Sequence, residues 1–307
     1  MQDQPNISWE DYRYILAISR ADGATKAADI LGVNVSTAFR RLEKIERSIE
    51  TQLFDRSRKG YLPTEAGREV IRAAEIMEQA AFAADRVVTG NDQRLTGEVR
   101  ITATEALATC FLPRHVTSFQ EKHPGLSVNI ISENNILSLA ERAADIALRP
   151  KRPRDETLIG RKIASFTWGI YADPESAKAL GPVDEPEALN AQQFIVWTGS
   201  VLAAASEEWL QLSVPNVKTA CRSGSLVTNA VLASNAVGLT MLPCLVGASW
   251  PGLKPVIAPL RDFGAGGEIW LAIHEDMRQN ARVRALIDHI VASAQLDAAL
   301  FEGSLPV

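Results

Sequence analysis

The sequence is short of cysteine, histidine and long apolar runs, and each shortage removes a class of protein. Cys110, Cys221 and Cys244 are the only cysteines in 307 residues, odd in number, far apart and without a C-x-x-C pair. That disfavours a disulfide framework or a cysteine zinc site and suits a reducing compartment. The N-terminus, MQDQPNIS, is polar and lacks a basic segment leading into an apolar core, so it reads as a chain without a signal peptide. The most apolar long stretch, residues 230–250, is interrupted by Asn235, Gly238 and Pro243 and does not make a membrane span. A cytoplasmic protein with no membrane partner is therefore expected. None of His115, His123, His274 and His289 sits in H-E-x-x-H, no G-x-S-x-G occurs, and GAGG (264–267) is not a dinucleotide fingerprint. The sequence points away from an enzyme and suggests neither catalytic residues, cofactor nor metal. Internal repeats and low-complexity tracts are also absent.

What is present is an ordinary globular composition, 46% apolar and 22% charged. The length suggests about two domains, with enough chain to bury a full core. The formal net charge is -5, yet positive charge is clustered. Residues 40–47 carry Arg40, Arg41, Lys44 and Arg47 against Glu43 and Glu46, and residues 56–59 read Arg-Ser-Arg-Lys. Clustering, rather than total charge, decides whether nucleic acid can bind.

Residues 9–20 place Tyr12, Ile15, Leu16 and Ile18 about one turn apart, predicting an amphipathic helix ended by Gly23. Thr25 is a candidate cap for a second helix with a small packing face of Ala27, Ala28 and Leu31, stopped by Gly32. After a short turn, Asn34 or Ser36 can cap a third helix to about Ile49, with Ala38, Leu42, Ile45 and Ile49 on its apolar side. Helix, short turn, helix is the plan whose second helix enters the major groove. Leu53 and Phe54 return to the core, RSRKG is a basic turn and YLPT a short strand, together a β wing. Thr64, Glu65 and Gly67 open a long helix to about Val88. Its stripe of Ala73, Ala74, Met77, Ala80, Ala81, Ala84, Val87 and Val88 is suited to packing on a twin. Residues 89–97 form a polar, Gly-bounded hinge.

From Glu98 strands and helices alternate, which indicates an α/β domain. Strands are expected at VRITAT, LSVNIIS, ADIALR, RKIASFTWGIYA, FIVWT, VKTACR, GLTML and EIWLAI. Helices are expected at 105–122, 136–143, 174–180, 202–212, 225–235, 243–248 and 279–301. About 200 residues make one large domain or two small lobes, with RKIASFTWGIYA and GGEIWLAIH as candidate crossings. If they cross, the final helix returns to the first lobe.

In this order the parts resemble a LysR-type transcriptional regulator over the whole chain. The resemblance rests on AADILGVNVSTAFRRLEKIE and LFDRSRKGYLPTEAG, and on GEVRITAT, FLPRHVTSFQEKHPGLSVNI, ADIALRP and VGLTMLP. It implies a winged helix-turn-helix (1–66), a linker helix and hinge for dimerisation (67–96), and a two-lobed α/β effector-binding domain like a periplasmic binding protein (97–307). Lobe I would take about 97–168 and 268–307, and lobe II about 169–267. The implied partners are double-stranded promoter DNA, a small-molecule co-inducer, and the chain itself as a dimer or dimer of dimers; RNA polymerase is a further candidate. Two positions depart from the family pattern. Phe39 stands where Ser is frequent, which offers a ring to a thymine methyl but no hydrogen-bond donor. Glu50 stands where Gly is frequent, which suggests a less tight helix end.

For DNA, Ser36, Thr37 and Arg40 lie on the first turns of the third helix, with Val35 placed to touch a methyl group. Arg41 and Lys44, further along, would meet phosphate, and Arg56, Arg58 and Lys59 belong to the wing. The alternatives are a solvated charged face for the helix and a packing role at the wing base for Arg56.

For the effector, strand ends and helix N-termini offer free N–H groups. Three such junctions occur, at TATEALA (102–108), WTGS (197–200) and RSGSL (222–226), and Arg149 ends a strand where it could pair with a carboxylate. The resemblance places contacts at Thr104, Glu105 and Ala106, at Thr198, Gly199 and Ser200, and at Ser223, Ser225 and Leu226. Glu105 adds a negative charge, which suits an amine or hydroxyl unless it turns to solvent. Thr104 and Ser225 as plain caps, Arg149 in a surface ion pair and Trp197 in the core are the competing readings. A stand-alone solute-binding protein would not need residues 9–64. Redox sensing by Cys221 and Cys244 competes with their burial as small apolar residues.

Overall fold

Ser8 starts the first helix, α1 (Trp9–Arg20), through a capping box in which its hydroxyl accepts from Asp11 N and the Asp11 carboxylate accepts from Ser8 N. α2 (Ala24–Leu31) and α3 (Val35–Ser48) follow. The computed structural model describes residues 7–21, 24–57, 60–90, 92–134, 144–153, 155, 157–260, 263–264 and 266–304. Gly23 lies outside them. Thr25 stands within α2 rather than capping it, since the helix starts at Ala24. Ala27, Ala28 and Ala38 are buried, so α2 and α3 approach closely. Ile15, Ile18, Leu42, Ile45, Leu53 and Phe54 fill the space between them.

Two helix ends share one hydrogen-bond pattern. At Gly32 (φ 64°), Val33 N donates to Ala28 O and Gly32 N to Asp29 O. At Glu50 (φ 55°), Thr51 N donates to Glu46 O and Glu50 N to Arg47 O. Both are Schellman caps. The expectation that Glu50 loosens the end of α3 is therefore corrected: the end is tight, and Glu50 itself takes the left-handed conformation.

β1 (Phe54–Ser57) and β2 (Gly60–Pro63) pair antiparallel, with Arg56 opposite Tyr61. Glu46 ties this wing to α3, its Oε1 accepting from Leu53 N at 2.7 Å and Phe54 N at 3.1 Å. α4 (Glu65–Gly90) begins where Thr64 Oγ1 accepts from Gly67 N at 3.0 Å. A side chain at Gly67 would place its Cβ 1.9 Å from Leu53 O, so only glycine lets α4 lie on the wing base. Ala74 is buried beneath the helix, while Ala73, Ile76, Met77, Ala80, Ala81 and Ala84 are exposed. The chain divides into two units, Met1–Asp85 and Arg86–Val307.

The second unit contains two five-stranded sheets. β3 (Gly97–Ala103) leads into α5 (Glu105–Cys110) and α6 (Leu112–Lys122), then β4 (Leu126–Ser132), β5 (Ile146–Arg149), β6 (Leu158–Phe166) and β7 (Trp168–Ala172). α7 (Pro174–Leu180), β8 (Gln193–Trp197), α8 (Val201–Ser213), β9 (Lys218–Ser223) and α9 (Leu226–Ser234) come next. The chain ends through β10 (Leu239–Pro243), α10 (Cys244–Ser249), β11 (Lys254–Ile257), β12 (Gly267–His274), α11 (Ala281–Leu296) and α12 (Ala298–Glu302). The first sheet has the order β4-β3-β5-β12-β6 and the second β11-β7-β10-β8-β9.

Of the expected elements, the helix at 136–143 falls outside the described residues. The expected strand 161–172 is two strands in different sheets, because the chain crosses at Thr167. That residue is held on three sides: its N donates to Phe301 O, its Oγ1 to Glu302 O, and its own carbonyl accepts from Cys244 N. The expected helix 105–122 breaks at Phe111, since Pro113 has no N–H to continue the ladder. The final helix breaks at Asp297, where α12 begins, and α11 packs on α6, β3 and β6 of the first sheet. β11 was not expected; KPVI is four residues long and contains a proline. No helix among the described residues is long and apolar enough to cross a membrane.

Candidate nucleic-acid interface and effector cleft

α3 presents an exposed row to solvent. Val35, Ser36, Thr37, Arg40 and Lys44 are exposed, and Ser36, Arg40 and Lys44 are four residues apart, one above the other. Arg40 and Lys44 form no ion pair among the described residues. Arg41 differs: its Nε donates to Asp11 Oδ1 at 2.6 Å. Phe39 is also engaged, its ring stacked on Tyr61 at 4.6 Å between centroids with 17° between planes. Phe39 thus joins α3 to the wing, and Phe54 closes the cluster edge-on against Tyr61. Arg58, Lys59 and the Arg56 side chain lie outside what is described. The sequence reading missed Asp11, Glu46 and Tyr61. Their signals were an acid in the first turn of α1, an unpaired acid on a basic helix and an aromatic opposite Arg56.

In the second unit the expected junctions lie at the C-terminal ends of parallel strands. β3 ends at Thr104, the N-cap of α5, whose hydroxyl makes no capping bond. β8 ends at Thr198 and Gly199 (φ 92°), and Ser200 caps α8 by accepting from Ala203 N at 3.0 Å. β9 ends at Ser223, which accepts from Ser225 N, and Ser225 caps α9 by accepting from Thr228 N at 2.9 Å. Thr198 N donates to Ser223 O, and Trp197 Nε1 to Gly224 O, so these two junctions form one surface of the second lobe. Trp197 is half-buried and packs 5.8 Å from Trp168, as the core reading expected. Ala106 and Leu226 are half-buried on the first turns of α5 and α9.

Glu105 does not turn to solvent. Ser225 Oγ donates to Glu105 Oε1 at 3.0 Å, which brings the first and third junctions together across the lobes. Asn134, which the sequence reading passed over, accepts from Glu105 N at 3.0 Å; its signal was a position just beyond the end of β4. Arg149 is not brought to these groups. Its guanidinium donates to Leu148 O and Thr102 Oγ1, both at 2.9 Å. Burial pulls its pKa below the usual arginine value, with nearby Glu133 acting the other way. The surface ion pair considered for Arg149 is thus replaced by hydrogen bonds within the first lobe.

The cysteines are free, with Cys110 and Cys244 buried and Cys221 half-buried. Burial raises the Cys110 thiol to about 11 and also raises Cys244, which leaves both far from thiolate chemistry.

A helical reader with a wing, joined in sequence to a two-lobed α/β unit with junctions facing a cleft, defines a ligand-responsive regulator as a class. Residues 9–68 match the bacterial regulatory helix-turn-helix protein of the lysR family, and residues 92–295 match the LysR substrate binding domain. The chain belongs to the LysR family of transcriptional regulators. It is similar to the Mau operon transcriptional activator of Paracoccus denitrificans, 26% identical over 91% of this chain and 93% of that protein. It is also 23% identical to the HTH-type transcriptional repressor PA14_22550 of Pseudomonas aeruginosa, over 58% of this chain and 56% of that one. Among solved structures, the full-length virulence activator AphB of Vibrio cholerae aligns with a TM-score of 0.59 and 19% identity, covering 93% of this chain and 99% of that one. That likeness concerns the fold.

Proposed function

We propose that this regulator binds promoter DNA through α3 and the wing and responds to a small-molecule effector held between the two lobes of its second unit. The observation that carries the DNA reading is the exposed row Ser36, Arg40 and Lys44, with no acid engaging either cation, on a helix whose other side is core. Ser36, Thr37 and Val35 are assigned to bases and Arg40 and Lys44 to bases and phosphates, with Arg56, Arg58 and Lys59 assigned to phosphate along the wing. Neutralised phosphates release counterions, so affinity falls with salt even though the chain is acidic overall.

The working division is a reader at 1–66, a linker helix and hinge at 67–96 and an effector domain at 97–307. The exposed apolar stripe of α4 supports self-association, as a homodimer and, by family analogy, a homotetramer. RNA polymerase is a further partner by the same analogy. Effector contacts are assigned to Thr104, Glu105, Ala106, Thr198, Gly199, Ser200, Ser223, Ser225 and Leu226. The cytoplasm, where DNA is available to it, is the proposed location.

The test is selection of genomic DNA fragments by the purified protein at near-physiological salt, followed by sequencing. A few sites with two half-sites in dyad are expected. Retention of random fragments that Arg40→Ala binds equally well would remove α3 from the interface.

A further inference from the structure

Glu105 and Ser225 lie on opposite lobes, 120 residues apart in sequence, and share the 3.0 Å hydrogen bond. Glu105 opens α5, which packs against α9, and its own N–H is fixed by Asn134. Ser225 caps the nine-residue α9. A helix N-terminus favours negative charge, because its first N–H groups have no partner within the helix. In this chain the carboxylate there is the protein's own. Glu105 Oε2, in contrast to Oε1, accepts no hydrogen bond among the described residues, and the hydroxyls of Thr104 and Thr198 are likewise unengaged.

A second polar group points to the same place. Asn229 lies four residues after Ser225, so helical spacing puts it one turn along the face that meets Glu105. It is fully buried, and neither its amide nitrogen nor its oxygen has a partner. The cleft therefore combines one carboxylate oxygen and one neutral carboxamide in want of hydrogen bonds. The cation at the neighbouring strand end, Arg149, is committed to Leu148 and Thr102.

We propose that Glu105 is a built-in carboxylate that occupies the anion position at α9 and so sets the ligand class of the cleft. The cleft takes molecules that offer an amine or hydroxyl hydrogen to Glu105 Oε2 and rejects carboxylates, which would meet a like charge with no free cation to offset it. The proposal rests on the reading of the cleft as the effector site.

The test uses full-length protein and three probes of one shape: benzylamine, benzyl alcohol and benzoate. Tryptophan fluorescence is the readout, since the Trp197 indole donates to Gly224 beside Ser225. Wild type is expected to bind benzylamine or benzyl alcohol at least tenfold more tightly than benzoate. Glu105→Ala should bind benzoate at least tenfold more tightly than wild type does, and adding Ser225→Ala should remove that gain. Glu105→Gln keeps an acceptor for Ser225 and should lose the preference for the amine over benzoate. Benzoate binding to wild type as tightly as benzylamine overturns the proposal. So does the absence of any gain for benzoate in both Glu105 variants, including no binding of any probe. The two failures differ: probes that bind wild type and every variant alike sit elsewhere and remove the cleft reading itself. Probes weakened by Ser225→Ala but indifferent to charge leave the cleft and remove only the role of Glu105.

Discussion

Arg41 Nε lies 2.6 Å from Asp11 Oδ1, and this same carboxylate completes the cap of α1 with Ser8. The reader helix is thereby bonded to the first helix by one of its own basic residues. Asp11 is 8% exposed, so the pair holds the helices in place from within the fold. Two adjacent arginines consequently have different tasks: Arg40 is exposed and unpaired, Arg41 is partnered.

The two arginines should separate in measurement. Arg40→Ala should leave stability within about 0.5 kcal/mol and lower specific DNA affinity by about 1–3 kcal/mol. Arg41→Ala should cost roughly 1–2 kcal/mol of stability, because it leaves Asp11 without its charged partner. Urea unfolding and DNA titration on both variants check this; equal stability of the two would remove the structural role of Arg41. Acid should act on the same pair. Burial pushes the Asp11 carboxyl up, but the Ser8 hydroxyl and N–H and the Arg41 guanidinium outweigh it, so it lies below 3.8. The stability it contributes is present above that value and lost as pH falls through the lowered one.

Glu50 takes φ 55° at the C-terminal cap of α3, a conformation costing a side-chain-bearing residue about 1 kcal/mol or more that glycine avoids. Glu50→Gly should therefore stabilise the first unit by roughly 0.5–1 kcal/mol, while Gly32→Ala, at φ 64°, should destabilise it similarly. Thermal unfolding of each variant decides. A lower melting temperature for Glu50→Gly would mean that the acid side chain does more than occupy the turn.

His289 on α11 lies between Phe119 and the His115 carbonyl, which its Nε2 meets at 3.0 Å. Burial pushes its pKa below 6.5; the His115 carbonyl pulls it up, and Lys122, His115 and His123 push it further down. The folded state thus favours the neutral ring. Its contribution to stability is complete above 6.5 and is lost as pH falls through that value towards the folded pKa. Melting temperature should drop between about pH 7.5 and pH 5.5, and less steeply in His289→Gln. An unchanged slope in that variant would assign the effect to other groups.

The parts that local pattern governs were legible in the sequence. Amphipathic spacing marked α1 and α3, Thr64 with Gly67 marked the start of α4, and apolar runs marked the strands. What was hidden depends on partners distant in sequence. The run 161–172 is uniformly strand-like, and only the clamp on Thr167 by Phe301, Glu302 and Cys244 divides it between sheets. Asp11 and Arg41 are 30 residues apart, Glu105 and Ser225 are 120, and no periodicity links either pair. Among the site residues, the junctions could be read from strand-to-helix transitions. The direction taken by Arg149 could not, because it follows from Thr102 on the neighbouring strand.

Asn229 gives the last expectation. A fully buried carboxamide with neither group paired costs about 1–3 kcal/mol per unmet partner, and leucine has nearly its shape. Asn229→Leu should therefore raise the stability of the ligand-free second unit by roughly 1–3 kcal/mol. A residue kept for packing alone would not give that result, since removing its polar atoms would then bring no gain. The same variant should weaken binding of a hydroxyl- or amine-bearing ligand, because the carboxamide is one of the groups such a ligand would satisfy. Stabilisation with unchanged ligand affinity would confine Asn229 to the interior of α9, and a loss of stability would show that its amide is paired in solution.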